Sequence, residues 1–308
     1  MNMNILLTGG AGFIGSNYLK MYVPKNKNHY ICLDKLTYAS NFNYIKDLYK
    51  FKNFTFIKGD IVDNKLVDSI LKNYKIDIII NFAAETNVDK SFINPDLFYK
   101  TNYLGTYNLV TLAIKHKVKH FHQVSTDEVY GPLNLTYQGQ GFTEEDKLNP
   151  TNPYSKSKAK AEEILIKLTE NHLNYTITRS SNNYGDNQYP EKLIPLAIKY
   201  IKEGKEIPVF DNENFKRNYL FVNDHCLAIK KIISSNIKNQ IYNLASNEEF
   251  SILEILNMIS KTLNISYKTK LTKRKNHDPF YKIDTSKYLK DFGLISSTNL
   301  QSYLNTIK

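Results

Sequence analysis

Tyr154 and Lys158 stand four residues apart in Pro153-Tyr154-Ser155-Lys156-Ser157-Lys158, at the mouth of a long stretch with helical periodicity. On a helix that spacing puts both side chains on one face. An ammonium beside a phenol favours the phenolate and lowers its pKa, so the pair is suited to taking a hydroxyl proton near neutral pH. In a chain with 23 tyrosines the same pair also reads as a plain surface contact. A second group, Ser125-Thr126-Asp127-Glu128-Val129-Tyr130-Gly131, follows directly on the apolar run 120–124. Two adjacent carboxylates beside a hydroxyl can divide acid and base work if their surroundings push their pKa values apart. The plainer reading has one of them capping a helix and both solvated.

A third group is a glycine loop, Thr8-Gly9-Gly10-Ala11-Gly12-Phe13-Ile14-Gly15, between the apolar run 4–7 and a helical stretch reaching about Tyr22. Gly9 permits the tight turn, Gly12 lets a pyrophosphate approach the backbone, and Gly15 lets helix and strand pack closely. The helix N-terminus then offers free N–H groups and a positive dipole to phosphate. Asp34 ends the next apolar run, roughly 20 residues on, where a carboxylate accepts hydrogen bonds from an adenosine ribose and favours NAD over NADP. Asp60, in Lys58-Gly59-Asp60-Ile61, either contacts the adenine or caps the following turn. Lys35, Thr37 and Ile61, beside these strand ends, complete the expected cofactor contacts on this side.

These groups need a scaffold that brings strand ends together. Apolar runs at 4–7, 30–33, 54–57, 76–82, 120–124 and 175–178 alternate with amphipathic stretches such as 63–74 and 95–116. Strand, helix, strand repeated in this way predicts an α/β fold, a Rossmann-type doubly wound parallel sheet covered on both faces. In such sheets ligands bind at the carboxyl ends of the strands, where the second and third groups lie. After Tyr184 the pattern loosens into helical pieces at 191–203, 225–234 and 252–263 between loops rich in Asn, Lys and Asp. The expected division is a mainly NAD-binding part over 1–184 and a smaller, mainly substrate-binding region over 185–308, which could return strands to the main sheet.

Length and composition agree with that division. The chain has 308 residues, 42% hydrophobic and 23% charged, so a disordered or collagen-like chain is excluded. No apolar run is long enough for a bilayer, and the start, MNMNILLTGG, lacks the charged region and cleavage site of a signal peptide. Two cysteines, Cys32 and Cys226, are too few for a disulfide framework and match no metal spacing. His116, His120 and His122 alternate without a carboxylate cluster, so no metal is expected. The reading is a reduced, cytoplasmic protein without a membrane partner. The net charge of +11 comes from scattered lysines and reads as a solvated basic surface rather than a nucleic-acid site.

The glycine loop, Tyr-x-x-x-Lys and the strand-end serine resemble the extended short-chain dehydrogenase/reductases. More narrowly, the chain resembles the nucleotide-sugar 4,6-dehydratases of the dTDP-glucose 4,6-dehydratase type. Further motifs carrying the resemblance are Asp34-Lys35-Leu36-Thr37-Tyr38-Ala39, Ala83-Ala84-Glu85-Thr86-Asn87-Val88-Asp89-Lys90, Ser181-Asn182-Asn183-Tyr184-Gly185 and Tyr189-Pro190-Glu191-Lys192-Leu193-Ile194-Pro195. The Thr126-Asp127-Glu128 triplet is the discriminating one, because related epimerases and decarboxylases lack the Asp-Glu pair. The resemblance implies that Tyr154, helped by Lys158, takes the O4 proton of a hexose while the C4 hydride passes to NAD and Thr126 holds that oxygen. Glu128 then removes the C5 proton, Asp127 protonates the departing C6 hydroxyl, and the hydride lands on C6. It also implies cofactor contacts from Ala83, Ala84, Thr101, Asn183, Tyr154 and Lys158. Substrate contacts fall on Thr86, Ser125, Asn182, Lys192, Leu193, Arg217, Asn247, Arg274 and His277, and a homodimer forms through the helices at 95–116 and 154–173.

Departures gather at the sugar-nucleotide end. Asn87 stands where the family usually has His, Arg217-Asn218-Tyr219 where it has Arg-Asp-Trp, and the segment from Arg274 to Tyr281 differs at several positions. The C-terminus is shorter than the family's. These leave the nucleotide base and the sugar open, with UDP-glucose or a UDP-N-acetylhexosamine as alternatives to dTDP-glucose. A C4 epimerase or decarboxylase on the same scaffold is the enzymatic rival. A non-catalytic NAD-sensing or RNA-binding protein is the rival from another class.

Overall fold

A computed structural model describes residues 2–134, 137, 139–170, 172–210, 216–235, 237–272 and 280–307. Seven strands form its main sheet: β1 (Asn4–Thr8), β2 (His29–Asp34), β3 (Phe54–Lys58), β4 (Ile78–Asn81), β5 (His120–Thr126), β6 (Asn174–Ser180) and β10 (Gln240–Leu244). Their order is β3-β2-β1-β4-β5-β6-β10, and every neighbouring pair is parallel. The order reverses between β1 and β4, and such a switch point leaves a crevice at the carboxyl ends.

Both faces of the sheet are covered, which is why its strands are continuous apolar runs. Ile5 and Leu7 point into one core with Tyr18 and Leu19 of α1 (Phe13–Tyr22) and Cys226 and Ile229 of α8 (Val222–Ser234). Leu6 points to the other face. It packs there with Val67 and Ile70 of α2 (Asn64–Tyr74), Leu109 and Val110 of α5 (Gly105–Lys115) and Leu165 of α6 (Pro153–Thr169). A strand sends successive side chains to opposite faces, so burying both faces demands an unbroken apolar stretch.

The stretch expected as one helix over 95–116 is divided. Val88–Ile93 (α3) and Pro95–Phe98 (α4) lead into a π-helical segment, Tyr99–Leu104, before α5 begins. The wide turn presents Asn102 inward, where its amide donates to Glu85 O at 3.0 Å and Ser157 Oγ at 2.8 Å and its oxygen accepts from Glu85 N at 2.8 Å. Three hydrogen bonds on one buried side chain compensate the poorer π-helical ladder, a pattern that recurs beside functional sites.

Beyond residue 184 the chain is shared between the two parts of the fold. Strand β10 extends the main sheet and α8 packs on α1. The rest builds a small mixed sheet, β11 (Glu249–Phe250), β9 (Arg217–Phe221) and β7 (Asn182–Tyr184), and a parallel pair, β12 (Lys268–Thr272) with β8 (Glu206–Phe210). Three helices, α7 (Leu193–Lys202), α9 (Ile252–Leu263) and α11 (Leu300–Thr306), close a separate core around Tyr184, Ile201 and Leu256. A further helix, α10 (Ser286–Phe292), packs Tyr288 against Tyr242 of β10.

Candidate active site

The carboxyl ends of β1, β2, β4, β5 and β6 open into one cleft of about 300 Å3. Its walls include the glycine loop at Gly9, Gly12 and Gly15 with Phe13 and Ile14, then Asp34, Lys35, Thr37, Asp60 and Ile61 from the next two strand ends. Ala83, Ala84, Thr101 and Asn183 line it on the other side, and Tyr154 and Lys158 close it with Thr126, Asp127 and Glu128.

The glycine loop has the chemistry of a pyrophosphate cradle. Gly9 has φ +69, and a side chain there would meet Ala83 N at 2.6 Å. Gly12 differs: its φ is −82, and an added Cβ would come near nothing but Gly9 O at 3.2 Å, so its bare face is what the cleft sees. Helix α1 starts behind it with no side-chain cap and no acidic residue in its first turn, which leaves its N–H groups to an anion. Asp34 is 6% exposed, and its two oxygens each accept one backbone N–H, from Ala11 at 2.9 Å and Leu36 at 2.7 Å. That fixes the carboxylate at the end of β2 with lone pairs still facing the cleft. Asp60 does cap a turn, accepting from Val62 N at 3.2 Å, and also pairs with Lys35 at 2.7 Å while lining the cleft. Two buried polar atoms on the cleft wall, Ser181 Oγ and Gln188 Oε1, have no partner among the described residues. An open cradle, an anion-ready helix end, a ribose-side carboxylate and two orphaned polar atoms together fit a nicotinamide dinucleotide.

The catalytic candidates converge from two elements. Thr126 ends β5 and its hydroxyl accepts from Glu128 N at 3.3 Å, so it caps the 3-10 turn Asp127–Tyr130 that carries both carboxylates. Helix α6 begins at Pro153 with a capping box between Asn152 and Ser155, which fixes Tyr154 one residue inside the helix. Asn152 also donates to Glu128 Oε2 at 3.3 Å and so ties the turn to the helix. One turn further on, the Lys158 ammonium donates to Val124 O at 2.7 Å.

The electrostatics separate the roles. Burial pushes the Asp127 carboxyl up to about 7, with the Glu128 charge adding to the rise and the Arg217 charge opposing it. A neutral, proton-bearing Asp127 therefore coexists with the second carboxylate near neutral pH. Burial draws Lys158 down to about 8, against a raising effect of Glu162. Tyr154 corrects an expectation. Burial, and then the charges of Glu128 and Asp127, hold its phenol well above the usual range, opposed by a hydrogen bond from Thr126. Spacing places Lys158 on the same helix face, but the protein by itself does not lower this phenol.

Among the expected substrate residues, Thr86, Ser125, Asn182 and Lys192 line the cleft. The Ser125 hydroxyl, however, is donated away from it, to Glu162. Leu193 starts α7 and packs against the separate core, and Arg217 starts β9, its guanidinium 5.3 Å over the Tyr281 ring. Asn247 lines a second cavity of about 210 Å3 rather than the cleft. Arg274 and His277 lie outside the described residues. The cleft also draws on Glu85, Tyr189 and Glu191, which the motif reading passed over. Glu191 accepts from Asn87 Nδ2 at 2.9 Å and lies 3.7 Å from the Lys90 ammonium. The signal available was its place in Tyr189-Pro190-Glu191-Lys192, but its partners are about a hundred residues away in the chain.

The three alternating histidines go to structural partners. His116 meets Asp68 at 2.8 Å, and His120 and His122 both meet Thr176 Oγ1 at 2.8 Å. Among the described residues no three His, Cys, Asp or Glu side chains gather to hold a metal, and no helix is long and apolar enough to cross a membrane.

Comparison with known proteins agrees with this geometry. Residues 6–302 match the family model described as GDP-mannose 4,6 dehydratase. The low-salt glycan biosynthesis protein Agl12 of Haloferax volcanii is 38% identical over 288 residues, 92% of this chain and 91% of that one. A dTDP-glucose 4,6-dehydratase of Streptomyces niveus is 36% identical over 299 residues, 94% of this chain and 87% of its own. The crystal structure of a dTDP-glucose 4,6-dehydratase from Bacillus anthracis in complex with NAD superposes with a TM-score of 0.90 at 37% identity, covering 99% of this chain and 94% of that one.

Proposed function

The chain belongs to the dTDP-glucose 4,6-dehydratase family of extended short-chain dehydrogenase/reductases, and from that premise we propose that it uses bound NAD to remove water from a nucleoside-diphosphate hexose, most readily dTDP-glucose. The observation that carries the reading is a buried Asp127 and a half-buried Glu128 beside Tyr154 and Lys158, with Asp127 raised to about 7. An epimerase has no use for a proton donor and a second carboxylate at this position; a dehydratase needs both.

When bound in the cleft, the nicotinamide supplies a reversible hydride acceptor and, in its oxidised form, a positive charge. Tyr154 receives the O4 proton of the sugar; the positive charge that the bound cofactor would bring opposes the burial and the carboxylates that otherwise hold its phenol high. Thr126 holds the same oxygen. A ketone at C4 acidifies the C5 proton, which Glu128 takes. Asp127 gives its proton to the departing C6 hydroxyl, so that the leaving group is water rather than hydroxide. Thr86, Asn182 and Lys192 face the sugar, and Arg217 acts on the diphosphate, where a planar guanidinium suits paired phosphate oxygens.

The part over 1–184 mainly binds NAD in this reading, and 185–308 mainly the sugar nucleotide. A homodimer is supported by exposed apolar side chains on 95–115 and α6: Tyr99 39%, Leu104 42%, Tyr107 44% and Ile166 38%. Cys32 and Cys226 are both free and buried, which suits a reducing, cytoplasmic setting.

The test is mass spectrometry and NMR of the products formed from dTDP-glucose, UDP-glucose and UDP-N-acetylglucosamine in turn. Loss of one water and a new C6 methyl signal are expected with dTDP-glucose. A product of unchanged mass, whatever the sugar nucleotide, overturns the dehydratase reading.

A further inference from the structure

Lys158 occupies a place where an ammonium is costly, 3% exposed between β5 and the helix that carries it. One turn along the same helix face stands Glu162, which the reaction does not touch, 1% exposed. One oxygen of its carboxylate accepts the Ser125 hydroxyl at the end of β5. The other accepts from Arg179 of β6, at 2.7 Å from Nη2 and 3.0 Å from Nε. Arg179 also donates through Nη1 to the Tyr130 hydroxyl at 2.7 Å, and that hydroxyl donates to Asn243 Oδ1 of β10 at 2.8 Å. Tyr130 ends the turn bearing Asp127 and Glu128.

We propose that Glu162 is a positioning residue for the reaction: one helical turn from Lys158, it fixes the carboxyl end of β5 through Ser125 and, through Arg179 and Tyr130, anchors the turn that presents the two carboxylates. The inference rests on the dehydratase reading. The titratable groups around Lys158 are Tyr154 and Glu162 on its own helix and Asp127 and Glu128 on the turn after β5; all but Glu162 line the same cleft, and Glu162 is paired with Arg179 of β6. The π-helical segment packed on α6 brings Asn102 to Ser157 and Thr101 to the cleft, and neither titrates. Of these groups Glu162 is the one whose charge raises Lys158, against the burial that lowers it to about 8. Removing that charge lets the ammonium deprotonate at a lower pH.

The experiment compares pH profiles of kcat/KM for dTDP-glucose in the NAD-loaded wild type, Glu162→Gln, Glu162→Asp and the double variant Glu162→Gln/Arg179→Met. The wild-type alkaline limb carries two losses, the proton of Asp127 at about 7 and that of Lys158 at about 8. The expected result is that the second moves down to the first in Glu162→Gln, so that the limb steepens from about pH 7, and returns in Glu162→Asp. Glu162→Gln strands a buried guanidinium, so the double variant removes that strain while still lacking the carboxylate. It should melt closer to the wild type and keep the shifted limb. Equal loss of rate at every pH with an unmoved limb, or a wild-type limb in the double variant, overturns the proposal.

A wild type inactive on every sugar nucleotide defeats the reaction instead. The proposal is then read from melting temperature against pH. Lys158 titrates at about 8 in the fold against 10.5 as its ordinary value. Its contribution therefore makes stability rise with pH between those values. In both carboxylate-lacking variants the rise should begin at lower pH than in the wild type, and coincident curves refute the proposal.

Discussion

Asp127→Asn should make the protein more stable and nearly inactive, and the two effects should have different pH dependences. Burial raises this carboxyl from 3.8 to about 7. Between those values the native state holds a proton that the unfolded chain has lost, so wild-type stability falls as pH rises through the interval. The slope is about 1.4 kcal/mol per pH unit, which over roughly three units amounts to about 4 kcal/mol. Asparagine has nearly the same shape, keeps an oxygen for the Thr126 hydroxyl and never ionises, so this loss disappears. At about 2.1 cal/mol/K per residue, unfolding a chain of this length carries an entropy near 0.65 kcal/mol/K, so the gain at pH 8 is roughly 6 °C in melting temperature. The assay is paired thermal melts of NAD-loaded wild type and variant from about pH 4.5 to 8.5, with kcat measured on the same samples. The gap in melting temperature should widen up to about pH 7 and then level off, while kcat falls about 10²- to 10⁴-fold below pH 7, a ratio that narrows above it as the wild type loses the same proton. A gap that stays constant across the range, or a variant less stable than the wild type at pH 8, refutes the account of Asp127 as a buried, proton-bearing acid.

Tyr154→Phe should lower kcat by about 10²- to 10⁴-fold with NAD still retained after gel filtration, since the phenol moves a proton and the cradle holds the cofactor; loss of the cofactor would count against that division. Gly12→Ala should weaken NAD binding by about tenfold or more in titration calorimetry, because the methyl group enters the phosphate approach, at little cost to the melting temperature without NAD. Gly9→Ala has φ +69 and Ala83 N at 2.6 Å, so it should destabilise the fold by roughly 2 kcal/mol or more. If the two glycine variants behave alike, the separation of their jobs is wrong. Arg217→Gln should raise KM for dTDP-glucose and, by removing the charge that lowers Asp127, carry the pH at which the acid form is lost upward; a pH profile identical to wild type would place Arg217 away from the acid. Leu104→Asp combined with Tyr107→Asp should give a monomer by sedimentation equilibrium, and a dimer that survives both changes excludes this face as the contact.

Much of the fold is legible because burial on both faces leaves a local signature. Ile78, Ile79 and Ile80 go to alternate cores and are all apolar, so β4 shows in the chain as a run. The strands outside the main sheet carry no such run. Lys268–Thr272 is mostly exposed, and Arg217–Phe221 opens on Arg217 and Asn218, so neither alternates cleanly enough to be read as a strand. The break in the helix over 95–116 is also silent in the sequence, because Asn102 is set by Glu85 and Ser157, 17 and 55 residues away.

The candidate site divides along the same line. Glycine spacing, the step from Tyr154 to Lys158 on one helix face and the Thr126-Asp127-Glu128 triplet at a strand end are short-range facts, fixed by helix and strand periods that a sequence carries within a few residues. The ionisation of those groups is not short-range. Asp127 bears its proton because several elements bury it beside Glu128, and Tyr154 is raised rather than lowered because it is buried and those carboxylates add to the rise. Burial draws Lys158 down, opposed by a Glu162 that a strand's arginine and a strand-end serine hold in place. A pKa is set by burial and by charges a few ångströms away, and only the packed chain decides which residues those are.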